Sequence, residues 1–195
     1  KEELVTETEA LQSVLEIDCS IIETSEQFNE YLEDIPAGTS MAIALNTKGD
    51  HQLDMRLLGL ALCAKQGCSV YFDLSQTSSQ STELFAEIKK LLESTANPKI
   101  FHGLKRAVQL LSKIGIELQG IGSDVMLAAH MTDPLGSRYE LDYLLGYKLN
   151  MSRKHVGSTI KSPVESQLSM FVEEEKEEYI QHCENASIIL HLHQQ

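Results

Sequence analysis

The sequence predicts an α/β fold: a mixed central sheet flanked by helices. Three observations carry this. Apolar runs separated by short polar or Gly-containing turns follow one another between Met41 and Leu74. A strand and a helix then alternate between Pro98 and Met131. From residue 139 to the end the chain reads as helix, interrupted once by a polar connection.

Residues 1–17 read as an N-terminal helix or arm, with Leu4, Leu11, Val14 and Leu15 forming an imperfect stripe, ahead of a domain over 18–195. Residues 19–22 form a short strand. Thr24 or Ser25 then caps a helix, with Gln27 reaching back to the cap. That helix runs to about Asp34 and ends at Pro36-Ala37-Gly38. Three strands follow, over 41–46, 57–64 and 69–74, and their short turns predict an antiparallel meander. After a polar loop over 77–80, Ser81 or Thr82 caps a helix reaching about Leu92. Pro98-Lys99-Ile100-Phe101 begins another strand. A helix over 104–114 carries Leu104, Val108, Leu111 and Ile114 on one face, and Ser123 and Asp124 can cap the next, with Val125, Met126, Leu127 and Met131. Pro134-Leu135-Gly136 breaks it. Residues 139–149 form a short helix, 150–163 a polar, mobile connection, and 164–192 a long closing helix.

Charge and composition narrow the function. The net charge is -13, unevenly placed. Residues 1–36 hold eleven acids and one base, and residues 165–195 seven acids and one base, whereas 37–164 hold eleven acids and fourteen bases. Such a chain is a poor non-specific DNA binder, because phosphate contacts supply most of that affinity. The acidic flanks read as solvated helix faces. A hydrophobic fraction of 42% suits a soluble globular domain. No apolar run approaches the roughly 20 residues that span a bilayer. No secretory signal opens the chain, and a first residue other than Met raises the expectation of a longer parent. Cys19, Cys63, Cys68 and Cys183 are irregularly spaced without a Cys-x-x-Cys pair. They read as reduced thiols of a cytoplasmic protein, with neither disulfide nor zinc expected. No P-loop or Gly-x-Ser-x-Gly elbow is present.

Four colinear segments carry a family resemblance. Ile43-Ala44-Leu45-Asn46-Thr47-Lys48, followed by Leu57-Leu58-Gly59-Leu60-Ala61, is similar to a strand ending in Asp-Thr-Glu and the strand after it. Gly103-Leu104-Lys105-Arg106-Ala107 resembles Asn-Leu-Lys-Tyr-Asp. Residues 115–130, Gly-Ile-Glu-Leu-Gln-Gly-Ile-Gly-Ser-Asp-Val-Met-Leu-Ala-Ala-His, resemble Gly-Ile-Glu-Leu-x-Gly-Ile-x-x-Asp-Thr-Met-Leu. Gln181-His182-Cys183-Glu184-Asn185-Ala186 through Leu190-His191-Leu192-His193 resembles Tyr-Ala-Ala-Glu-Asp-Ala followed by Leu-Gln-Leu-His. Together these resemble the 3′–5′ exonuclease domain of a bacterial family A (polymerase I type) DNA polymerase. The resemblance implies a ribonuclease H-like (DnaQ-like) fold.

The resemblance also implies a site built on four carboxylates holding two divalent metals, with a tyrosine orienting the attacking water. The positions that match are Asn46 and Lys48, Ala107, and Asn185, with Gln181 at the tyrosine position. Formal charge at the four ligand positions goes from -4 to +1, and hard dications require anionic oxygen. An ammonium at Lys48 would itself repel a dication, by roughly 4 kcal/mol per unit charge at 4 Å and intermediate dielectric. Gln181 and Asn185, four apart, share a helix face. Asp50, Asp54 and Glu184 lie nearby but read as turn or solvated residues. His182, His191 and His193 do not read as a shared metal site. Lys105-Arg106 is a small basic spot. No catalytic or metal-ligating residue is therefore expected. The expected function is an inactive exonuclease-like module inside a DNA polymerase of replication and repair. It would be monomeric as a fragment, partnered by the polymerase domain of the same chain, and would reach DNA through that parent without membrane contact. Mg²⁺ is expected only in the polymerase domain. The alternatives are an active metal-dependent exonuclease with substituted ligands, and a module that holds single strands without cutting.

Overall fold

The computed structural model describes residues 13–49, 54–75, 79–153 and 167–195. Its elements in order are β1 (Ser13–Leu15), β2 (Asp18–Ile21), α1 (Ser25–Glu33), β3 (Met41–Lys48), β4 (Arg56–Lys65), β5 (Cys68–Asp73), α2 (Ser79–Glu93), β6 (Lys99–Phe101), α3 (Leu104–Lys113), β7 (Ile121–Asp124), α4 (Val125–Thr132), α5 (Leu141–Leu149), β8 (Met151–Arg153) and α6 (Gln167–His193). Six strands form one sheet in the order β2-β5-β4-β3-β6-β7. The β3–β4–β5 meander is antiparallel, while β2, β6 and β7 join in parallel, so the sheet is mixed as expected.

Strand alternation sorts the sheet into two unlike faces. One face presents Met41, Ile43, Leu60, Leu62, Val70 and Phe72, and Phe28 of α1, Ile88 and Leu92 of α2, and Leu111 of α3 pack on it. Phe28 meets Phe72 edge-on at 5.3 Å. The other face presents Ala42, Ala44, Ala61 and Cys63, against which α6 lays Cys183, Ala186, Ile189 and Leu190. Small side chains on this second face let the α6 backbone approach the sheet closely. Lys99 of β6 is fully buried, its amine donating to the Ser94 carbonyl, and burial lowers its pKa.

Local signals produce local structure here. Thr24 accepts from the Gln27 N–H at 3.3 Å while the Gln27 side chain accepts from the Thr24 N–H at 3.3 Å, a reciprocal capping box. Thr24→Ala should cost about 1 kcal/mol, read as a shift in the urea midpoint at unchanged slope; no shift would show that α1 is held by packing alone.

Several expectations need correction. Residues 13–15 are a strand, not a continuation of an N-terminal helix, and the rest of that arm lies outside the described residues. Their partner is Met151–Arg153, in the segment read as a mobile connection; β1 and β8 pair in parallel as a separate two-stranded sheet. Helix α2 starts at Ser79, ahead of the expected caps. Helix α3 buries Ala107, Leu110 and Leu111, whereas Val108 and Ile114 are exposed. The core face is thus rotated toward Ala107. Residues 121–124, read only as the approach to a helix, form the outer strand β7. The thiol expectation also fails. Cys19 and Cys183 form a disulfide, with Cα atoms 6.1 Å apart, because β2 at the sheet edge and α6 above it bring the two together. Cys63 and Cys68 remain free.

Candidate functional site

The α6-facing side of β3 ends in Asn46. It is 4% exposed, and its amide donates to the Tyr71 hydroxyl at 2.9 Å. Gly59 lies opposite Asn46 in the β3–β4 register, and a Cβ there would collide with that hydroxyl and with the Phe72 carbonyl. Gly59 therefore makes room for the bond that engages Asn46. Burial raises the Tyr71 pKa, with the Asn46 bond opposing it, so the phenol stays protonated and able to accept.

Beyond Asn46 a cleft of about 370 Å³ opens over the ends of β3 and β6. Its walls include Thr47 of β3, Arg106 and Ala107 of α3, Arg153 of β8, and Gln181 and Asn185 of α6. Asp124 holds the α3 side in place. Its carboxylate accepts from the Gly103 N–H at 3.1 Å and the Leu104 N–H at 2.8 Å, where α3 starts. It also caps α4 through the Met126 N–H at 3.0 Å. Gly103 takes a left-handed φ of 84°, which turns the chain from β6 into α3. Arg106 donates to the Thr47 hydroxyl at 2.9 Å and packs on the Met55 sulfur.

Arg153 crosses the cleft. Its Nη2 donates to Asn185 Oδ1 at 2.7 Å, its Nη1 to Glu184 Oε2 at 2.9 Å, and its Nε to Asp142 Oδ1 at 2.5 Å. Arg153 and Glu184 side chains are 17% and 8% exposed, so this is a largely buried ion pair, whereas Asp142 is 74% exposed at its rim. His182 stacks on Tyr71 at 6.4 Å, and its Nδ1 is buried without a partner among the described residues. Desolvation lowers the His182 pKa; Glu178 opposes this and the Arg153 charge adds to it. A depressed folded-state pKa means that the unfolded chain binds the proton more readily. The neutral ring's contribution is therefore full above the ordinary imidazole value and is lost as pH falls through the folded value. Stability should fall on acidification below about pH 6.5. The loss should be smaller in His182→Phe, measured by urea unfolding at pH 7 and pH 5; equal losses would place the titration elsewhere.

Of the five positions singled out in the sequence, the structure brings Ala107, Gln181 and Asn185 together as cleft walls. Asn46 is not among the cleft's lining residues and is committed to Tyr71. Lys48 is exposed and is not among the cleft's lining residues, so the repulsion assigned to it in a partly dry site does not arise there. Besides Arg106, the cleft is lined by a second guanidinium, that of Arg153, from the segment expected to be a polar connection, and it is Arg153 that reaches Asn185. Nor is Glu184 solvated: it is buried against that guanidinium. Asp54 is exposed, and Asp50 lies outside the described residues. His191 bonds the Ser187 carbonyl and His193 the Ser123 hydroxyl, so the three histidines serve different neighbours.

The residues present do not fit a pair of divalent cations. Amides and a methyl occupy Asn46, Asn185 and Ala107, and Glu184 and Asp142 already hold Arg153. Among the described residues, no group of three or more His, Cys, Asp or Glu side chains is arranged to hold a metal ion.

A family model described as 3′–5′ exonuclease matches residues 19–165. No curated protein matched by sequence. Among solved structures, the polymerase domain of Pol1 from M. smegmatis, in complex with DNA primer-template and dNTP, is similar at 22% identity and a TM-score of 0.66. The match covers 90% of this chain and 26% of that one, so the chain spans about a quarter of that relative. The Nibbler EXO domain of Aedes aegypti matches at 12% identity and a TM-score of 0.61, covering 90% of this chain and 87% of that one. Trypanosoma brucei RNase D, in complex with RNA U12, matches at 16% identity and a TM-score of 0.60, covering 90% and 63%. These likenesses agree with the ribonuclease H-like fold, and the chain belongs to the 3′–5′ exonuclease domain family of the family A DNA polymerases.

Proposed function

We propose that this chain is an exonuclease domain that no longer cleaves, kept as a structural module of a polymerase I type enzyme. The observation that carries this reading is the donor set of the cleft. Ala107 and Asn185 stand where the resemblance puts metal-binding acids, and Asn46 is turned into a buried bond with Tyr71. Two-metal hydrolysis needs anionic oxygens on both sides of the scissile phosphate, and these three side chains offer none. What remains useful is the body: a rigid two-faced sheet whose helices can brace a neighbouring polymerase module of the same chain. That module would supply the DNA contact and the Mg²⁺-dependent chemistry, in a cytoplasmic enzyme of replication and repair.

The test is 3′-end hydrolysis. The purified domain is incubated with end-labelled single-stranded DNA in Mg²⁺ and in Mn²⁺, and mononucleotide release is followed. No release above the metal-free control is expected. Metal-dependent release that is lost in Asn185→Ala would overturn the reading and revive the substituted-ligand enzyme. Salt-sensitive binding of the same strand without release would instead favour a holding module.

A further inference from the structure

We infer that the Arg153 guanidinium takes the place of the divalent cation in this cleft, as a permanent cation built into the chain. The inference rests on the reading that the domain does not cleave, and it supplies a second barrier to metal beyond the missing acids.

The first support is position. Arg153 donates at 2.7 Å to Asn185, which stands at the last acid position of the family site, and it lines the cleft shared with Ala107 and Gln181. The second is charge. Glu184 is a buried carboxylate one residue from Asn185, and Arg153 is the cation that the structure gives it. A buried carboxylate deprived of its partner is strongly unfavourable, so an incoming dication cannot simply push the guanidinium aside into water. The third is geometry. A guanidinium presents donors in a planar fork, and here three nitrogens meet three oxygens on two helices, Asp142 of α5 and Glu184 and Asn185 of α6. Of these three oxygens, that of Asn185 stands at a position where the resemblance puts a metal ligand.

The backbone around Arg153 is fixed for this purpose. Asn150 closes α5 with a left-handed φ of 50° and turns the chain directly into β8. Arg153 then pairs with Leu15 of β1, and Leu15 is buried with Leu145 of α5 and Ile188 of α6. The two-stranded β1–β8 sheet thus anchors the residue that delivers the cation. It connects an element outside the main sheet to the centre of the cleft.

The test compares metal affinity with and without Arg153. The four acids are restored together (Asn46→Asp, Lys48→Glu, Ala107→Asp, Asn185→Asp) in the otherwise unchanged chain, and again with Arg153→Leu or Arg153→Lys. Free Mn²⁺ is titrated by electron paramagnetic resonance. The Leu background should bind Mn²⁺ at least about tenfold more tightly than the Arg background, with Lys remaining close to Arg because it keeps the charge. Equal affinities in the Arg and Leu backgrounds would overturn the inference.

Should the four-acid chains fail to fold, Asn185→Asp alone and Asn185→Asp with Arg153→Leu provide the same comparison through melting temperature. Mn²⁺ should leave the single variant unchanged and raise the melting temperature of the double variant. An equal rise in both, or none in the double variant, would sink the proposal. Hydrolysis by the unmodified domain would instead defeat the reading on which it rests, and the Mn²⁺ comparison would stand apart from that result.

Discussion

Loss of the Cys19–Cys183 disulfide is expected to lower the unfolding free energy by up to about 5 kcal/mol, because the bond closes a loop with a sequence separation of 164 residues and the chain-entropy benefit grows with the logarithm of loop length. That figure is a ceiling, since a compact unfolded state would reduce it. The measurement is urea unfolding of the oxidised protein, the protein in a dithiol reductant, and the Cys19→Ser/Cys183→Ser variant. The reduced protein and the double variant should agree with each other and fall well below the oxidised form. Three coincident curves would mean that the bond contributes nothing in solution. The effect should be local as well as global. Cys183 sits on the same turn of α6 as Glu184 and Asn185, so amide exchange across 181–189 should quicken more on reduction than exchange in β3.

The second large effect is expected at Asp124. Its carboxylate serves the first N–H groups of α3 and caps α4, so it ties two helix starts to one side chain. The charged hydrogen bonding at the start of α3 contributes about 1.5–3 kcal/mol, and the cap of α4 about 1 kcal/mol. Asp124→Ala should therefore cost roughly 3 kcal/mol, and Asp124→Asn less, because one acceptor oxygen survives. Thermal unfolding of both variants checks this. An Asp124→Ala cost below about 1 kcal/mol would show that water replaces the carboxylate at both helix starts. Since Ala107 and Arg106 ride on α3, the same substitution should also loosen that wall of the cleft.

What could be read from the sequence was what is decided locally. Thr24 and Gln27 announce their capping box within four residues, and the β3–β4–β5 meander follows from apolar runs joined by short turns. The resemblance located Ala107, Gln181 and Asn185, and the fold does bring these three to one cleft. What escaped depends on partners distant in sequence. Ser13–Leu15 and Met151–Arg153 are three-residue strands that, among the described residues, pair with each other alone, and neither has a period long enough to detect. Cys19 and Cys183 carry no spacing signal across their separation. The burial of Glu184 depended on Arg153, and an arginine in a polar segment gives no hint that it will turn inward. On helix α3 the stripe of Leu104, Val108, Leu111 and Ile114 holds for Leu104 and Leu111, which pack on the core, and fails for Val108 and Ile114, which are exposed. Packing between the sheet and the cleft also buries Ala107 and Leu110.

The alanine-lined face of the sheet bears on how such a site can change. Helix α6 is seated by Ala42, Ala44 and Ala61 beneath it, and by Ala186 and Ser187 on its own underside, all of them nearly inaccessible to solvent. Its height above the sheet is therefore a matter of steric volume and owes nothing to any ligand. Side chains at the open end of that contact, Gln181 and Asn185 among them, overhang the seat without bearing on it. Substitutions in the overhang leave the spacing of the two layers unchanged, whereas a single bulkier residue in the seat would lift the whole helix. A domain built this way can exchange exposed groups at its mouth without disturbing the contact that seats the helix.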